Sequence, residues 1–346
     1  KMAISGVQAR SALTTTFVKL YKEIPKTTSF LRSFFVDKVS TDRFVSIEVQ
    51  RGTEKFAVDV KRGTNGNFNK VSLSTEKVIN PPYFNEVFGA NDLRHYDVAI
   101  GGATVANIKA LAQAMVEEAM IVRNKIERAY EKMAADVFET GVVTLADGST
   151  IDFGRKATMI EDLSGSNPWT VATNNPITNI IEGCKKLRTI GKAQGGVYNM
   201  IIGGDALEAL INNDIFKARG DIKDFDLATI KLGNMIPTGA APHGMLTAGS
   251  YKIVIWTYPE FYDVAGVSTP YINEKKFILL PPNPNFTAAY AGVPQLIEDG
   301  KIQQNGKYMV SEFLDKQAKS HRVQQESAGV MIPTQVDGIY TAQVIA

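Results

Sequence analysis

The sequence has very little cysteine and histidine and no long hydrophobic run. Of its 346 residues, one is Cys and three are His, so an internal disulfide bond is impossible and a zinc site is not expected. The longest apolar runs, residues 253–256 and 277–280, are far shorter than the roughly 18 residues of a membrane-spanning helix. We therefore predict a protein of a reducing compartment, such as the cytoplasm, with no membrane segment.

An excess of charge of one sign is missing too. The chain carries 38 Lys and Arg residues against 36 Asp and Glu residues, a net charge of +2. This balance argues against a strongly basic nucleic-acid-binding protein and against an acidic disordered chain. Hydrophobic residues make up 44% of the sequence, as in ordinary globular proteins. At this length, the composition supports two or three domains with cores of their own.

The short signatures of common enzyme and cofactor sites are absent. The sequence contains no P-loop, G-x-G-x-x-G, H-E-x-x-H, G-x-S-x-G or C-x-x-C string. An S-x-x-K string at Ser74 and Lys77 lies in a strand-like region and lacks the companion strings of penicillin-binding enzymes. Asp221, Asp224 and Asp226 do not have the spacing of a calcium-binding loop. We predict no catalytic residue, no cofactor and no metal ion.

Two extended regions with little to cover them make up the N-terminal part. Residues 1–35 carry isolated aromatic side chains among Ser, Thr and Lys, which indicates an arm that needs another surface to lie on. Residues 44–82 alternate between apolar and polar with the period of a strand, and turn residues interrupt them at 51–53 and 64–67. The alternating apolar positions are Val45, Ile47 and Val49, followed by Phe56, Val58 and Val60. This pattern predicts a long β-hairpin.

A single long helix is predicted next, over residues 105–140, which contain no Gly or Pro. At 1.5 Å per residue it would be about 54 Å long, roughly the width of a globule of this size. Arg123 and Glu127, and likewise Arg128 and Glu131, are spaced as pairs on a face expected to meet water or a neighbour. The apolar positions, at steps of three and four, are Ile108, Leu111, Met115, Ala119, Val122, Ile126, Ala129, Met133 and Val137.

The second half of the chain has the pattern of a mixed α+β domain. A short hairpin is indicated around Asp147-Gly148, and Asn175-Pro176 is a typical helix start. The helix that follows carries Cys184 on its apolar stripe, where a free Cys is usually packing material. Residues 206–216 are predicted to form a further helix, and residues 200–202, 251–258 and 276–280 to form strands.

This order of parts resembles the major capsid proteins of tailed bacteriophages, in the lambda-like branch of the Hong Kong ninety-seven capsid fold. Residues 45–60 (VSIEVQRGTEKFAVDV) are similar to the extended loop of that family, and residues 151–158 (IDFGRKAT) to the hairpin after its spine helix. Residues 198–213 (YNMIIGGDALEALINN) and 256–271 (WTYPEFYDVAGVSTPY) resemble parts of its axial domain. Residues 323–344 (VQQESAGVMIPTQVDGIYTAQV) resemble its closing segment.

The resemblance implies an α+β capsid fold in four units. These are an N-terminal arm (1–35), an extended β-hairpin loop (36–100), a peripheral domain with the spine helix (101–172 and 290–320) and an axial domain (173–289 and 321–346). It also implies a non-enzymatic component of the virion capsid that is assembled in the cytoplasm of the host bacterium. One chain would form the pentamers and hexamers of an icosahedral shell around double-stranded phage DNA, without sequence-specific binding. A portal and a scaffold or decoration protein are further implied partners.

Two sets of residues are expected to matter for assembly. The extended loop would contact a neighbouring subunit, because its own chain has little to cover it, and repeated contacts between unlike surfaces close into rings and shells. The loop set is Arg51, Glu54, Lys55, Phe56, Val58, Val60, Arg62 and Phe68. The spine-helix set is Met115, Val122, Arg123, Ile126 and Glu127, of which Met115, Val122 and Ile126 are expected in the core of the subunit.

Three other functions fit parts of the pattern. An encapsulin-type shell that stores an enzyme cargo would share the fold. A cytosolic α+β enzyme with an unrecognised site would behave as a small oligomer. A tail-tube or sheath protein is the third alternative, although such a protein would give no reason for a single spine helix of 36 residues.

Overall fold

The computed structural model describes residues 29–49, 75–90, 105–145, 148–219, 239–264, 266–284, 286–296, 302–304, 306–315 and 320–346. The elements, in chain order, are β1 (Phe35–Val39), β2 (Val45–Val49), β3 (Thr75–Ile79), β4 (Tyr83–Ala90), α1 (Val105–Glu139), β5 (Val142–Thr144), β6 (Thr150–Asp152), β7 (Ile160–Asp162), α2 (Pro176–Thr189), β8 (Val197–Ile202), α3 (Gly204–Asn212), α4 (Asp214–Arg219), β9 (Ala241–Ala248), β10 (Tyr251–Thr257), β11 (Phe261–Val264), β12 (Val267–Pro270), β13 (Lys276–Leu280), β14 (Phe286–Tyr290), β15 (Pro294–Leu296), β16 (Ile302–Gln304), β17 (Met309–Asp315), β18 (Ser320–Ile332) and β19 (Tyr340–Gln343).

The predicted long helix is confirmed as α1, and it packs on a five-stranded sheet. In this sheet β1 pairs with β14, β14 with β18, and β18 with both β17 and β4. Alternation along β4 turns Phe84 towards the helix, edge-on to the Tyr130 ring at 5.3 Å, and leaves Tyr83 exposed. Phe138 of α1 packs against Phe35 and Phe286, so the helix and both of these strands share one core.

A six-stranded mixed sheet lies beside it, in the order β7, β19, β13, β8, β10, β9. Met200 and Ile202 of β8 belong to the core formed with α2 and α3, whereas Ile201 belongs to the core formed with α1. The same alternation holds along β13, where Phe277 and Leu279 face one core and Ile278 the other. Because both faces of the sheet are covered, these strands are continuous apolar runs in the sequence.

The predicted start of α2 is confirmed. The Asn175 side chain accepts a hydrogen bond from the Ile177 N–H at 3.1 Å, and Pro176 occupies the first turn of α2. Cys184 is buried, and burial raises the pKa of its thiol to about 12. The small hairpin is the pair β5 and β6.

The helix predicted over 206–216 is divided at Asn213 into α3 and α4. The Asn213 Oδ1 accepts hydrogen bonds from the N–H groups of Ile215 and Phe216, at 3.1 and 3.3 Å, and so caps the start of α4. Its Nδ2 donates to the carbonyl oxygens of Trp169 and Asn174, at 3.3 and 3.1 Å. A buried side chain with four such bonds ends one helix and begins the next.

The C-terminus of α1 joins the two sheets. The Arg155 guanidinium donates to the carbonyl oxygens of Phe138 and Glu139, at 2.8 and 2.6 Å, which satisfies groups that the last helical turn leaves open. The Glu139 carboxylate forms an ion pair with Lys276 of β13, and the Thr341 hydroxyl of β19 donates to the Phe138 carbonyl oxygen. The helix is therefore fixed at this end to strands of the six-stranded sheet.

The predicted domain boundaries do not coincide with the division of the strands between the two sheets. Residues 321–332, predicted to be axial, lie in β18 of the five-stranded sheet, as do residues 286–289 in β14. β7, predicted to be peripheral, pairs with β19 in the six-stranded sheet. β1 and β4, predicted as parts of the extended loop, are strands of the five-stranded sheet. Pairing between strands far apart in the chain decides membership of a sheet, and the pattern within one strand does not reveal it.

The end of the predicted N-terminal arm belongs to the core of its own subunit. Phe30, Leu31 and Phe35 are buried, with exposed fractions of 4%, 0% and 6%. The Phe30 ring lies 5.6 Å from the Tyr258 ring. The surface on which residues 30–35 of the predicted arm lie is therefore the core of their own subunit and not a neighbouring one, and residues 1–28 lie outside the described part of the chain.

Candidate assembly surface

The base of the predicted long hairpin is a two-stranded sheet of its own. β2 and β3 pair antiparallel from Val45 opposite Ile79 to Val49 opposite Thr75. Ile79 is 5% exposed, and Val45 packs against the same core. Val78, the neighbour of Ile79, is 62% exposed because successive side chains of a strand point to opposite faces. The hairpin is thus anchored on one face and open on the other.

The connection between β1 and β2 is held tightly against β14. The Ser40 N–H donates to the Tyr290 carbonyl oxygen at 2.8 Å, and the Gly292 N–H donates to the Asp42 carbonyl oxygen at 2.9 Å. A Cβ atom at Gly292 would lie 2.4 Å from the Thr41 carbonyl oxygen, so only glycine allows this approach. These bonds fix the position from which the hairpin leaves the subunit.

Exposed apolar side chains are concentrated around this base. Such residues occur on β1, on the connection to β2, on β3 and on β4. We call the set the hairpin-base surface, and its members, with their exposed fractions, are Val36 (60%), Val39 (55%), Phe44 (49%), Val78 (62%), Tyr83 (52%) and Val87 (46%). Exposed apolar residues on neighbouring elements are candidates for contacts with another protein.

A buried carboxylate holds the segment that precedes β1. Glu131 of α1 is 1% exposed and accepts hydrogen bonds from the backbone N–H groups of Leu31 and Arg32, at 2.8 and 3.1 Å. Burial raises the pKa of the Glu131 carboxyl group, and the hydrogen bonds to it oppose that change. The bonds join the end of the N-terminal segment to the middle of the spine helix.

The Arg32 side chain lies in the same cluster and has several partners. Its guanidinium forms an ion pair with Glu127 of α1 and another with Asp37 at 3.2 Å. It also donates to the Tyr290 hydroxyl at 2.8 Å, and its Cζ atom lies 5.8 Å from the centre of the Tyr130 ring. The Arg32 guanidinium is largely shielded from water, and a buried charge is tolerated only with ion-pair and hydrogen-bond partners of this kind.

Residues of the segment before β17 complete the cluster. The Tyr308 hydroxyl donates to Glu127, and the Arg123 guanidinium lies over the Tyr308 ring at 4.9 Å. Burial, together with the Glu127 charge, raises the pKa of Tyr308, so its hydroxyl stays neutral and remains a donor. The Lys307 ammonium donates to Asp37 at 2.8 Å. Three cations thus face three carboxylates where α1, β1 and β14 meet.

A family described as phage major capsid protein E matches residues 14–344. The chain belongs to this family. Its members are structural proteins of the phage capsid, so the chain is a major capsid protein and a component of the virion. This outcome confirms the resemblance seen in the sequence and favours a phage head over the encapsulin, enzyme and tail alternatives.

Solved structures agree on the fold. A candidate capsid protein of a prophage in Escherichia coli CFT073 is similar over 100% of both chains, with 16% sequence identity and a TM-score of 0.61. A phage-related protein from Bordetella bronchiseptica RB50 is similar over 99% of this chain and 98% of its own, with 11% identity and a TM-score of 0.52. The predicted α+β capsid fold is therefore confirmed. A search of curated protein sequences found no match.

The two predicted residue sets of this capsid protein have different outcomes. All eight residues of the loop set, from Arg51 to Phe68, lie outside the described part of the chain, so their contact with a neighbour stays a prediction. All five residues of the spine set lie on α1. Met115 and Ile126 are buried as expected, at 3% and 1% exposed, whereas Val122 is only half-buried.

The predicted outer face of α1 is wrong for its acidic residues. Glu127 and Glu131, expected to meet water or a neighbour, are 3% and 1% exposed. Arg123 is half-buried against Tyr308. The spacing of opposite charges along the helix suggested a solvated face, but the partners of these carboxylates come from residues 31–32 and 308. No local pattern in the sequence relates Arg32 or Tyr308 to α1.

The remaining sequence patterns gain no chemical role. Lys77 lies on β3 opposite Ile47, not one helical turn behind a serine, and Ser74 and the three Asp residues at 221–226 are outside the described residues. In the part of the chain that the structure describes, no group of His, Cys, Asp or Glu side chains could hold a metal ion. Among the described helices, none is both long and apolar enough to cross a membrane.

Proposed function

We propose that this capsid protein self-assembles into the pentamers and hexamers of an icosahedral shell that encloses phage DNA. The observation that carries the proposal is the family match, which includes nearly the whole chain. The near-zero net charge of +2 suits a wall that surrounds DNA without binding its phosphates tightly. Assembly in the host cytoplasm, with a portal and a scaffold or decoration protein, belongs to the same proposal.

The hairpin is the element through which we propose that neighbouring subunits are joined. Among the described strands, β2 and β3 pair only with each other; they are anchored at Val45 and Ile79, while Val78 stays exposed on the open face. In the shell this face, continued by Phe56, Val58 and Val60 of the predicted loop, would lie across the adjacent subunit. Burying each such side chain contributes roughly 1.5–3 kcal/mol.

Electron microscopy of the purified protein tests the shell directly. We expect closed particles with five-fold and six-fold capsomers. A single sharp monomer peak in analytical ultracentrifugation, with no large species in any salt, would contradict the proposal.

A pair of variants tests the hairpin. Val78→Asp should leave the melting of unassembled subunits nearly unchanged, within about 0.5 kcal/mol, because the side chain is exposed. It should nevertheless stop closure of shells, because every subunit contact would bury an unpaired carboxylate. Val58→Asp should behave in the same way. The matched control is Val171→Asp, an exposed valine on the linker before α2, which should assemble as the parent does. Normal shells from Val78→Asp would exclude the hairpin as the contact.

A further inference from the structure

A second hairpin, formed by β11 and β12, carries exposed apolar side chains at its root (Phe261) and at its tip (Val264 and Val267). Among the described strands, these two pair only with each other, and Val264 lies opposite Val267 beside the turn. The exposed fractions of Phe261, Val264 and Val267 are 48%, 53% and 64%. The sequence resembled a capsid hairpin at this place, but neither the family match nor the proposed function assigns a role to the tip.

The root of this hairpin is rigid. The Tyr271 ring packs against the rings of Tyr262 and Tyr258, with centroid distances of 4.9 and 5.7 Å. At the turn, the Asp263 carboxylate accepts a hydrogen bond from the Gly266 N–H at 2.7 Å, and Gly266 has a φ of +84° that suits glycine. A tip that is already ordered loses little conformational entropy when it binds.

The hairpin is also acidic. Residues 259–271 contain Glu260 and Asp263 but no Lys or Arg. Both carboxylates belong to exposed residues. The hairpin therefore combines apolar side chains with negative charge, with Glu260 and Phe261 at its root and Asp263, Val264 and Val267 near its tip.

The opposite combination occurs on part of the hairpin-base surface. We call the exposed residues Val36, Lys38, Val39, Arg43 and Phe44 the β1 strip; they lie on both faces of β1, which pairs with β14 alone among the described strands, and on the connection to β2. The Arg43 guanidinium lies over the Phe44 ring at 5.5 Å, so its charge stands beside an apolar side chain.

Two acidic residues lie in the same segment. Asp37 is paired with Arg32 and Lys307, which offsets its charge. Asp42 is exposed and accepts a hydrogen bond from the Ser40 hydroxyl. The β1 strip therefore has two cations, Lys38 and Arg43. The nearby Asp42 is an anion without a cationic partner among the described residues, so the net charge of this region is positive.

We propose that the β11–β12 hairpin of one subunit docks on the β1 strip of a second copy of the same chain. A closed ring built from one chain needs two different surfaces on each subunit that complement each other, and these two complement each other in charge while both are apolar. The inference rests on the proposed function, because it names a surface pair for the same assembly.

A charge swap tests the pairing. Glu260→Lys and Arg43→Glu alter exposed side chains, so the melting of unassembled subunits should be that of the parent. Each should raise the protein concentration needed for assembly by about fivefold or more, and the double variant should restore it to near the parent value. Single variants that assemble like the parent, or a double variant that is no better than either single one, would overturn the inference.

Disulfide cross-linking gives an independent measurement. Val264→Cys combined with Val39→Cys places two accessible thiols in a chain whose own Cys184 is buried. Oxidation of assembled protein should give covalent multimers on a denaturing gel, and each single variant is the control. Absence of multimers would count against the pairing. If the parent forms shells but these tests fail, only this inference is lost; if the parent forms no shells, the proposed function fails first.

Discussion

Removing one partner of the ion pair between Arg32 and Glu127 should strongly destabilise the subunit. The exposed fractions of the two side chains are 10% and 4%, so water screens the pair very little. Arg32→Met removes the cation while keeping an unbranched apolar stem. Glu127 would then keep the Tyr308 hydroxyl as a neutral partner but would be a buried charge without a counterion.

The expected magnitude follows from this burial. Breaking a buried pair by removing one partner costs about 3–5 kcal/mol, whereas the half-exposed partner Asp37 keeps Lys307 and adds only about 0–1 kcal/mol. Arg32→Met should therefore lower the free energy of unfolding by about 3–5 kcal/mol, and the melting temperature by on the order of 10 °C.

A double-mutant cycle separates the pair from simple loss of packing. Glu127→Gln keeps an acceptor for Tyr308 and removes the charge. Arg32→Met together with Glu127→Gln should cost about 2 kcal/mol less than the sum of the single variants. The assay is denaturant unfolding of unassembled subunits, followed by circular dichroism.

The control for this cycle is a half-exposed pair on the same helix. Lys132 and Asp136 are four residues apart on α1, with side-chain exposed fractions of 33% and 25%, so Lys132→Met should cost no more than about 0.5 kcal/mol. If the Arg32 and Glu127 variants add within about 0.5 kcal/mol, the two charges are not coupled and the reasoning is refuted.

Two further predictions concern α1 and the six-stranded sheet. Ile126→Asp should unfold the subunit, because residue 126 is only 1% exposed and the variant would bury an unpaired carboxylate there. Val122→Asp should lower the stability much less, because Val122 is half-buried. Equal melting temperatures of the two variants would contradict this order. Burial lowers the pKa of His243 below its ordinary 6.5, so the unfolded state binds the proton more readily and stability should fall as the pH decreases from about 7 to 5. His243→Gln should reduce this slope, measured by thermal melting across the range, and an unchanged slope would show that another group causes it.

Several parts of the fold could be predicted because their signals are local. The spacing of apolar residues and the lack of Gly and Pro indicated α1, and Asn175-Pro176 indicated the start of α2. Continuous apolar runs indicated β8 and β13, which are covered on both faces. The base of the long hairpin followed from alternation over Val45–Val49. In each case the residues that determine the element are neighbours along the chain.

The charged cluster could not be predicted in the same way. Opposite charges at i, i+3 or i, i+4 on a helix are usually solvated, so this spacing predicts an outer face for Glu127 and Glu131. Their partners lie 95 to 181 residues away in the chain, on Leu31, Arg32 and Tyr308. A carboxylate is buried only where such partners come together, and a helical period contains no information about them.

The sequence by itself therefore determined the order of the elements, the long helix, the class of the fold and the family. The tertiary structure decided which strands share a sheet, where the N-terminal segment is anchored and which apolar side chains stay exposed. The physical reason is that the spacing of apolar residues and the capping of a helix depend on contacts within about one turn or one strand. The sheet to which a strand belongs, and the burial of a side chain, depend instead on groups that are distant in the chain. β18 is the clearest case, because its 13 residues pair with β4, β14 and β17, which come from three separate parts of the sequence.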